Sequence, residues 1–494
     1  MKHDRTRSLI PDRTCWRIER ANRLAVIVDA AEYFRFAKAA MLKARHRIML
    51  IGWDFDTRIK FEPERQELEG PNRLGQFLSW LPKHRPGLQV YVLKWDLGVV
   101  QALGRGMTPL FVLNWVTSRR LHFKLDGAHP VGAAHHQKIV VIDDALAFCG
   151  GIDMTADRWD TREHFDDDPR RRRPNGGAYG PWHDATTAID GEAAHAIGDL
   201  ARERWHRATG ELLQTSPEPS DPWPDALPPT IERVDVAIAR TLPQLDGRQE
   251  IREIEALYLE AIAGAKHTIY IETQYLASRR IAEALAQRLR EPEGPEIVIV
   301  LPEKIDGWLE HKAMDGARLK LLHLLWRADL HKRFGVFYPV TSNGKSIFVH
   351  AKVMVIDDTL LRVGSSNLNN RSMGFDSECD LAVEAVQGSS DYDRVRDAIL
   401  SVRQSLLCEH LDVDGEVLSV TMGDGLGSLL TTINTLGGSG RTLKPMELAA
   451  IAEDESVLAE NELLDPERPA LSPTQHLVGG LSGIIASFPI RRAQ

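Results

Sequence analysis

Short, unbroken apolar runs alternate along this chain with stretches whose apolar residues recur every three or four positions. IMLIGW follows Ala44-Arg-His-Arg, VYVLKW follows Gln89, IYIE follows Thr268 and IVIV follows Glu296. Such runs are too short for buried helices and lack polar alternation, so they predict strands covered on both faces. The intervening stretches have helical spacing. Helices alternating with fully apolar strands predict an α/β fold in which mixed sheets are flanked by helices.

The pattern occurs twice. HHQKIVVIDDALAFCGG from His135 matches VHAKVMVIDDTLLRVGSSN from Val349: each gives His-x-Lys, four mostly aliphatic residues, Asp-Asp, then an apolar run ending in Gly-Gly or Gly-Ser. Upstream, ARHRIMLIGWDFD from Ala44 resembles AKHTIYIETQYL from Ala265, and QVYVLKWD from Gln89 answers EIVIVLPE from Glu296. A repeat of this length predicts two similar lobes, residues 20–214 and 231–433. Between them, TSPEPSDPWPDALPPT (residues 215–230) has six prolines and no periodicity, and reads as an extended linker. From residue 434 the composition turns acidic, which predicts a tail over 434–494.

On a regular strand His136 shares a face with Lys138, as His350 does with Lys352, while Asp143 and Asp357 fall on the opposite face. An ammonium beside an imidazole makes a poor metal site and a good phosphate site, with lysine supplying charge and histidine a nucleophile or proton. The aspartates, though part of the motif, read as anchors that hold its position. Each histidine still needs a carboxylate to counter the nearby lysines and to fix its tautomer. WHDATTAID aligns with DSECDLAVE, which nominates Asp184 for His136 and Glu378 for His350. Gly150, Gly151 and Gly364, with Ser365 and Asn367, would let backbone and hydrogen-bonding groups approach a phosphate, and Asp153 stands in the first copy where Asn367 stands in the second.

Composition narrows the setting. The chain has 494 residues, 43% apolar and 27% charged, with a net charge of −9, which is globular and disfavours a dedicated nucleic-acid binder. No apolar stretch is long enough to span a bilayer, and the charged N-terminus does not read as a secretory signal. The four cysteines are too scattered for a metal site or a disulfide framework. The expected location is cytoplasmic or peripheral to a membrane, with signal-independent secretion as the alternative. His135 is expected to pack away from the site and His183 to stand as a candidate pocket residue; Arg170–Arg173 reads as a solvated loop or an anionic-lipid contact. Trp53, Trp95 and Trp182 read as core, with Trp53 and Tyr275 at strand ends that could rim the pocket.

Two H-x-K-x-x-x-x-D motifs with matching flanks resemble the phospholipase D superfamily. GGIDMTADRWDTREH (150–164), YGPWHD (179–184), IYIETQYL (269–276) and GSSNLNNRSMGFDSE (364–378) are similar to the plant and animal type enzymes, without their lipid-targeting domains. The resemblance spans roughly residues 20–410. It implies two lobes packed pseudo-symmetrically face to face around one shared active site. His136 would attack phosphorus to give a phosphohistidine, and His350 would serve as acid and then base. Lys138, Lys352 and Asn367 would stabilise the phosphoryl oxygens, with no metal or cofactor required. The implied substrate is a glycerophospholipid at a membrane surface, cleaved at its distal phosphodiester by a monomer, with exchange to other alcohols as a second outcome. A cardiolipin synthase-type phosphatidyltransferase and a metal-independent nuclease are the alternatives, and no nucleic-acid partner is expected.

Overall fold

The computed structural model describes residues 7–96, 118–217, 220–245, 247–304, 308–423, 427–438, 440–446 and Asp465. The first half contributes β1 (Arg17–Val28), β2 (Arg47–Gly52), β3 (Gln89–Trp95), β4 (Leu121–Asp126), β5 (Ile139–Ile142), β6 (Leu146–Gly150), β7 (Trp182–His183) and β8 (Ala185–Asp190). The second contributes β9 (Ile231–Leu242), β10 (Ile251–Arg252), β11 (Thr268–Glu272), β12 (Glu296–Val300), β13 (Phe334–Val340), β14 (Phe348–Val349), β15 (Val353–Ile356), β16 (Leu360–Gly364), β17 (Glu378–Glu384) and β18 (Thr442–Pro445).

The two halves share one mixed sheet, ordered β18-β13-β12-β11-β15-β16-β17-β9-β1-β8-β6-β5-β2-β3-β4. Outward from the centre the arms correspond strand for strand: β8, β6, β5, β2, β3 and β4 against β17, β16, β15, β11, β12 and β13. The expected pair of sheets is therefore joined edge to edge. The antiparallel β1–β9 pair, in register from Arg17↔Ile238 to Leu24↔Ile231, forms the seam. Each would otherwise present an open edge, and pairing them across the pseudo-dyad removes it.

Three layers of apolar side chains cover this sheet. One cluster draws on both halves, with Met49, Val141, Ile238 and Val355 packed against the helices Gly191–Thr209 and Tyr392–Leu411. The opposite face of each arm has its own cover: helices Ala30–Leu42 and Leu74–His84 on the first, Glu253–Gly264, Arg279–Arg290 and Trp308–Ala328 on the second. Helix Arg279–Arg290 shows the logic, burying Ile281, Ala282, Leu285, Ala286 and Leu289 at helical spacing while Arg279, Arg280 and Arg290 face outward.

The Asp-Asp dipeptides turn the hairpins that follow the motifs. Asp143 and Asp144 have φ of 53° and 54°, and Asp357 and Asp358 have 52° and 54°. Two successive left-handed residues match the right-handed twist of the flanking strands, a conformation aspartate tolerates. Beyond residue 433, where the sequence places the start of a tail, β18 still pairs antiparallel with β13 and extends the sheet. Most of the acidic stretch lies outside the described residues; Asp465 accepts the backbone N–H groups of Asn370 and Arg371 at 3.1 and 2.8 Å. Among the described residues no helix is long and apolar enough to cross a membrane.

Candidate active site

The His-x-Lys segments are extended lead-ins to β5 and β15, and each pairs with the opposite half. His136 N–H donates to the Ser377 carbonyl at 2.9 Å, and His350 N–H donates to the His183 carbonyl at 2.8 Å. In the second of these junctions β14 and β7 run parallel, with Val349 opposite His183. The residue after each pairing partner is the site carboxylate, so it is delivered to the other half's histidine. His136 Nδ1 donates to Glu378 at 2.9 and 3.0 Å, and His350 Nδ1 donates to Asp184 Oδ2 at 2.6 Å. The sequence-based assignment of Asp184 to His136 and Glu378 to His350 is thus reversed. Lining up the two copies finds the carboxylates but cannot show that they cross the dyad. With Nδ1–H held by a carboxylate, a neutral imidazole keeps its lone pair on Nε2. The His136 side chain is 17% exposed and that of His350 6%, over carboxylates that are essentially inaccessible.

Gly151, Gly364 and Ser365 are packed against carboxylates, and Gly150 against Thr186. Ser365 Oγ and Ser372 Oγ donate to the two oxygens of Glu378, and Ser365 Oγ accepts Cys379 N–H at 3.0 Å. Gly151 occupies the equivalent place in the first half, where a Cβ would come within 2.3 Å of Asp184 Oδ1. A Cβ on Gly364 would meet Asp380 Oδ1 at 1.9 Å. That same oxygen accepts the N–H groups of Ser365 and Ser366. Gly364→Ala is therefore expected to destabilise the protein by ~1–3 kcal/mol through overpacking, read as a lower thermal midpoint. A midpoint equal to that of the parent would show that Asp380 can move aside freely.

The lysines break the symmetry. Lys138 Nζ donates to the His136 carbonyl at 2.9 Å and lies 3.0 Å from Asp153 Oδ2. Asp153 is therefore a partner of lysine. Its counterpart Asn367 is uncharged, 4% exposed, and its Oδ1 has no hydrogen-bond partner among the described residues. Lys352 Nζ donates to the His350 carbonyl. Burial lowers Lys352 to about 7, against the pull of Asp184 and with further lowering from Lys138. Burial, Lys138 and Lys352 hold His136 well below its ordinary value; burial, Lys352, Arg158 and Lys138 do the same to His350. Each imidazole thus lies in the field of both ammonium groups. Burial raises Glu378 to about 7 and raises Asp184 as well.

A lysine lowered this far is charged below about pH 7 and neutral above it. If its charge is needed to bind a phosphodiester, kcat/KM should fall roughly tenfold per unit above that pH. Lys352→Arg, which keeps its charge, should push the alkaline limb upward. A profile flat for about two units above the limb would remove Lys352 from that role.

The remaining candidates sort by contact. Asp143 accepts the N–H groups of Arg45, His46 and Arg47, and Asp357 those of Lys266, His267 and Thr268, all at 2.6–2.8 Å. These motif aspartates tie the hairpins to β2 and β11 and do not reach the histidines. His135 is buried on partners of its own, with Nδ1 2.9 Å from Ser377 Oγ and Nε2 3.1 Å from Asp126. His183 is completely buried beneath the site, 2.8 Å from Glu272. The arginine run is mostly structural: Arg171 is buried on Asp160, Arg170 pairs with Asp168 and Arg173 with Asp157. Trp182 stacks on Phe348 at 4.5 Å and leans on His350 at 5.3 Å, with the Arg158 guanidinium 4.4 Å over its ring. Trp53 stacks on Trp95 at 6.0 Å, and Tyr275 is buried at 9% exposure. Arg158 and Ser372 are site residues that the sequence reading passes over, though both lie inside the family-like stretches GGIDMTADRWD and NNRSMGF.

Fold and site together define a pseudo-dyadic α/β protein in which two carboxylate-backed imidazoles and two lysines are built from both halves. A family model described as phospholipase D matches residues 40–220, and one described as cardiolipin synthase, PLD-like domain, matches residues 258–399. The chain belongs to the phospholipase D superfamily. It is 24% identical over 471 residues to phospholipase D A of Dictyostelium discoideum, covering 78% of this chain and 35% of that one. To phospholipase D beta 2 of Arabidopsis thaliana it is 25% identical over 516 residues, covering 75% and 55%. To phospholipase D alpha 1 of Cynara cardunculus it is 24% identical over 511 residues, covering 75% and 63%. The chain thus spans from about a third to somewhat under two thirds of these relatives. Among solved structures, phosphatidylserine synthase from Haemophilus influenzae Rd KW20 shares the fold, with a TM-score of 0.55 at 13% identity over 95% of each chain.

Proposed function

We propose that this protein is a phospholipase D that hydrolyses the distal phosphodiester of glycerophospholipids, giving phosphatidic acid and the free headgroup alcohol. The observation that carries the reading is the crossed pairing of His136 with Glu378 and His350 with Asp184, which leaves an Nε2 on each ring for one phosphorus. His136 Nε2 attacks phosphorus while His350 Nε2–H protonates the departing alkoxide, and the P–O bond breaks as the P–N bond forms. Water then gives a proton to His350 and attacks the phosphohistidine in line, restoring His136. An alcohol taking the place of water gives a phosphatidyl-alcohol instead. Lys138, Lys352 and Asn367 hold the phosphoryl oxygens as charge builds. In the free protein burial, with the clustered cations adding to it, keeps His350 neutral. An entering phosphodiester anion supplies the negative charge that lets it hold the acid proton. The substrate sits in a membrane surface, so the protein works as a peripheral partner of a bilayer.

Incubation with phosphatidylcholine vesicles and a primary alcohol tests this reading. Phosphatidic acid and phosphatidyl-alcohol are expected in competition, with the ratio set by alcohol concentration. Absence of both across a panel of headgroups would overturn it. The match of residues 258–399 to a cardiolipin synthase description favours a second reading, transfer of a phosphatidyl group to phosphatidylglycerol. Cardiolipin formed from phosphatidylglycerol alone, faster than phosphatidic acid, would establish that reading instead.

A further inference from the structure

Below Asp184 lies a polar cluster that the chemistry at phosphorus does not use. His164 Nδ1 lies 2.9 Å from Asp160 Oδ2, which turns its Nε2 toward Asp29 Oδ2 at 3.5 Å and Glu409 Oε1 at 3.3 Å. His183 Nε2 lies 2.8 Å from Glu272 Oε2, which turns its Nδ1 toward Glu409 Oε1 at 2.7 Å and Asp29 Oδ1 at 3.6 Å. These four side chains are at most 1% exposed. Despite the short separations, His183 Nδ1 and Asp29 Oδ2 have no partner at a good hydrogen-bonding angle, so two fully buried polar atoms facing the centre are held by ion-pair contacts alone. Leaving such atoms unsatisfied is costly.

Both histidines share one feature of a metal ligand, a carboxylate on the outer ring nitrogen that turns the inner nitrogen toward the centre of the cluster. One donor atom from each of Asp29, His164, His183 and Glu409 lies within 4.8 Å of the others. Metal bonds of about 2.0–2.1 Å to nitrogen and oxygen imply donor separations of about 3.3 Å in a tetrahedron, which the observed contacts bracket. The charge fits as well. Asp160 pairs with Arg171 and Glu409 with Arg162, while Asp29 and Glu272 face the imidazoles, so four carboxylates meet two fixed cations and the remaining two positive charges come either from protons on the two rings or from one divalent ion.

We propose that Asp29, His164, His183 and Glu409 form a buried site for a divalent transition cation of the zinc class, which fastens the helix carrying Glu409 to the first half at the floor of the catalytic cleft. Two imidazoles and two carboxylates suit such an ion. The role is structural: the ion is held below the site and takes no part at phosphorus. The inference stands independently of the substrate proposed above.

The test uses the full chain, without a polyhistidine tag, purified in the absence of chelator. Elemental analysis is expected to find close to one equivalent of a divalent transition metal per chain after exhaustive dialysis. Removing it with a strong chelator should lower the thermal midpoint, and Zn2+ should restore it. Co2+ in its place should show the visible bands of a tetrahedral ion. Asp160→Asn, which weakens the support of His164 and also the buried pairing with Arg171, should weaken binding about 10–100-fold, with the thermal midpoint of the chelator-treated variant separating that loss from the cost of the altered Arg171 contact. A chain that is metal-free as purified, and whose midpoint responds neither to Zn2+ nor to chelator, would overturn the proposal. The cluster would then be a network of imidazolium–carboxylate pairs.

Discussion

Alanine in place of either His136 or His350 is expected to lower kcat/KM toward phosphatidylcholine on the order of 10^3-fold or more, and the double variant to be little worse than either single one. The two rings act as one device, because attack by one without proton delivery by the other leaves a poor leaving group, and protonation without attack leaves no bond to phosphorus. Removal also strands a carboxylate. Glu378 would lose its imidazole partner and keep only the hydroxyls of Ser365 and Ser372. A stability cost of ~1–3 kcal/mol is therefore expected alongside. Thermal denaturation of each variant separates the two effects, and assays belong well below the lowered midpoint. Activity within tenfold of the parent in either folded variant would remove that histidine from the chemistry.

Glu378→Gln and Asp184→Asn are expected to cost about 10^2–10^4-fold, in line with loss of the carboxylate that orients a catalytic imidazole. The crossed geometry makes the effects separable. Glu378→Gln should disturb the ring of His136, and Asp184→Asn that of His350, although each pair spans opposite halves. Nitrogen chemical shifts of labelled histidines report this directly, because loss of the carboxylate releases Nδ1 and changes the tautomer balance. If Glu378→Gln shifts His350 and leaves His136 untouched, the pairing described here is wrong. A pairing confined to one half would predict that pattern.

Much of this architecture is legible in the sequence because it is a repeat of strongly apolar strands. Runs such as RIMLIG and TIYIE can only be central strands, and their repetition places β2 and β11 at matching positions in the two arms. The strand parity of the motif likewise separates His136 and Lys138 from Asp143, whose carboxylate lies at the hairpin turn accepting three N–H groups from Arg45–Arg47. What a linear reading lacks is the operation relating the copies. Aligning them gives the same answer whether a carboxylate serves its own half or the other. Only the pairing of His136 with Ser377, and of His350 with His183, decides between these. The glycines mislead for a related reason. Gly151 and Gly364 do admit a close approach, but of Asp184 and Asp380 rather than of a phosphate. The buried cluster around His164 is invisible to spacing, since Asp29, His164, His183 and Glu409 are scattered along the chain and meet only when both halves have folded.

The most direct test of the central claim is the fate of phosphorus. Rapid acid-free quenching during turnover of a phospholipid labelled at phosphorus, followed by peptide mapping at alkaline pH, is predicted to place the phosphatidyl group on the peptide holding His136. Parallel turnover of a chiral substrate should proceed with overall retention at phosphorus, as two in-line displacements require. Label on neither histidine, together with inversion at phosphorus, would mean that water attacks directly and would contradict the account.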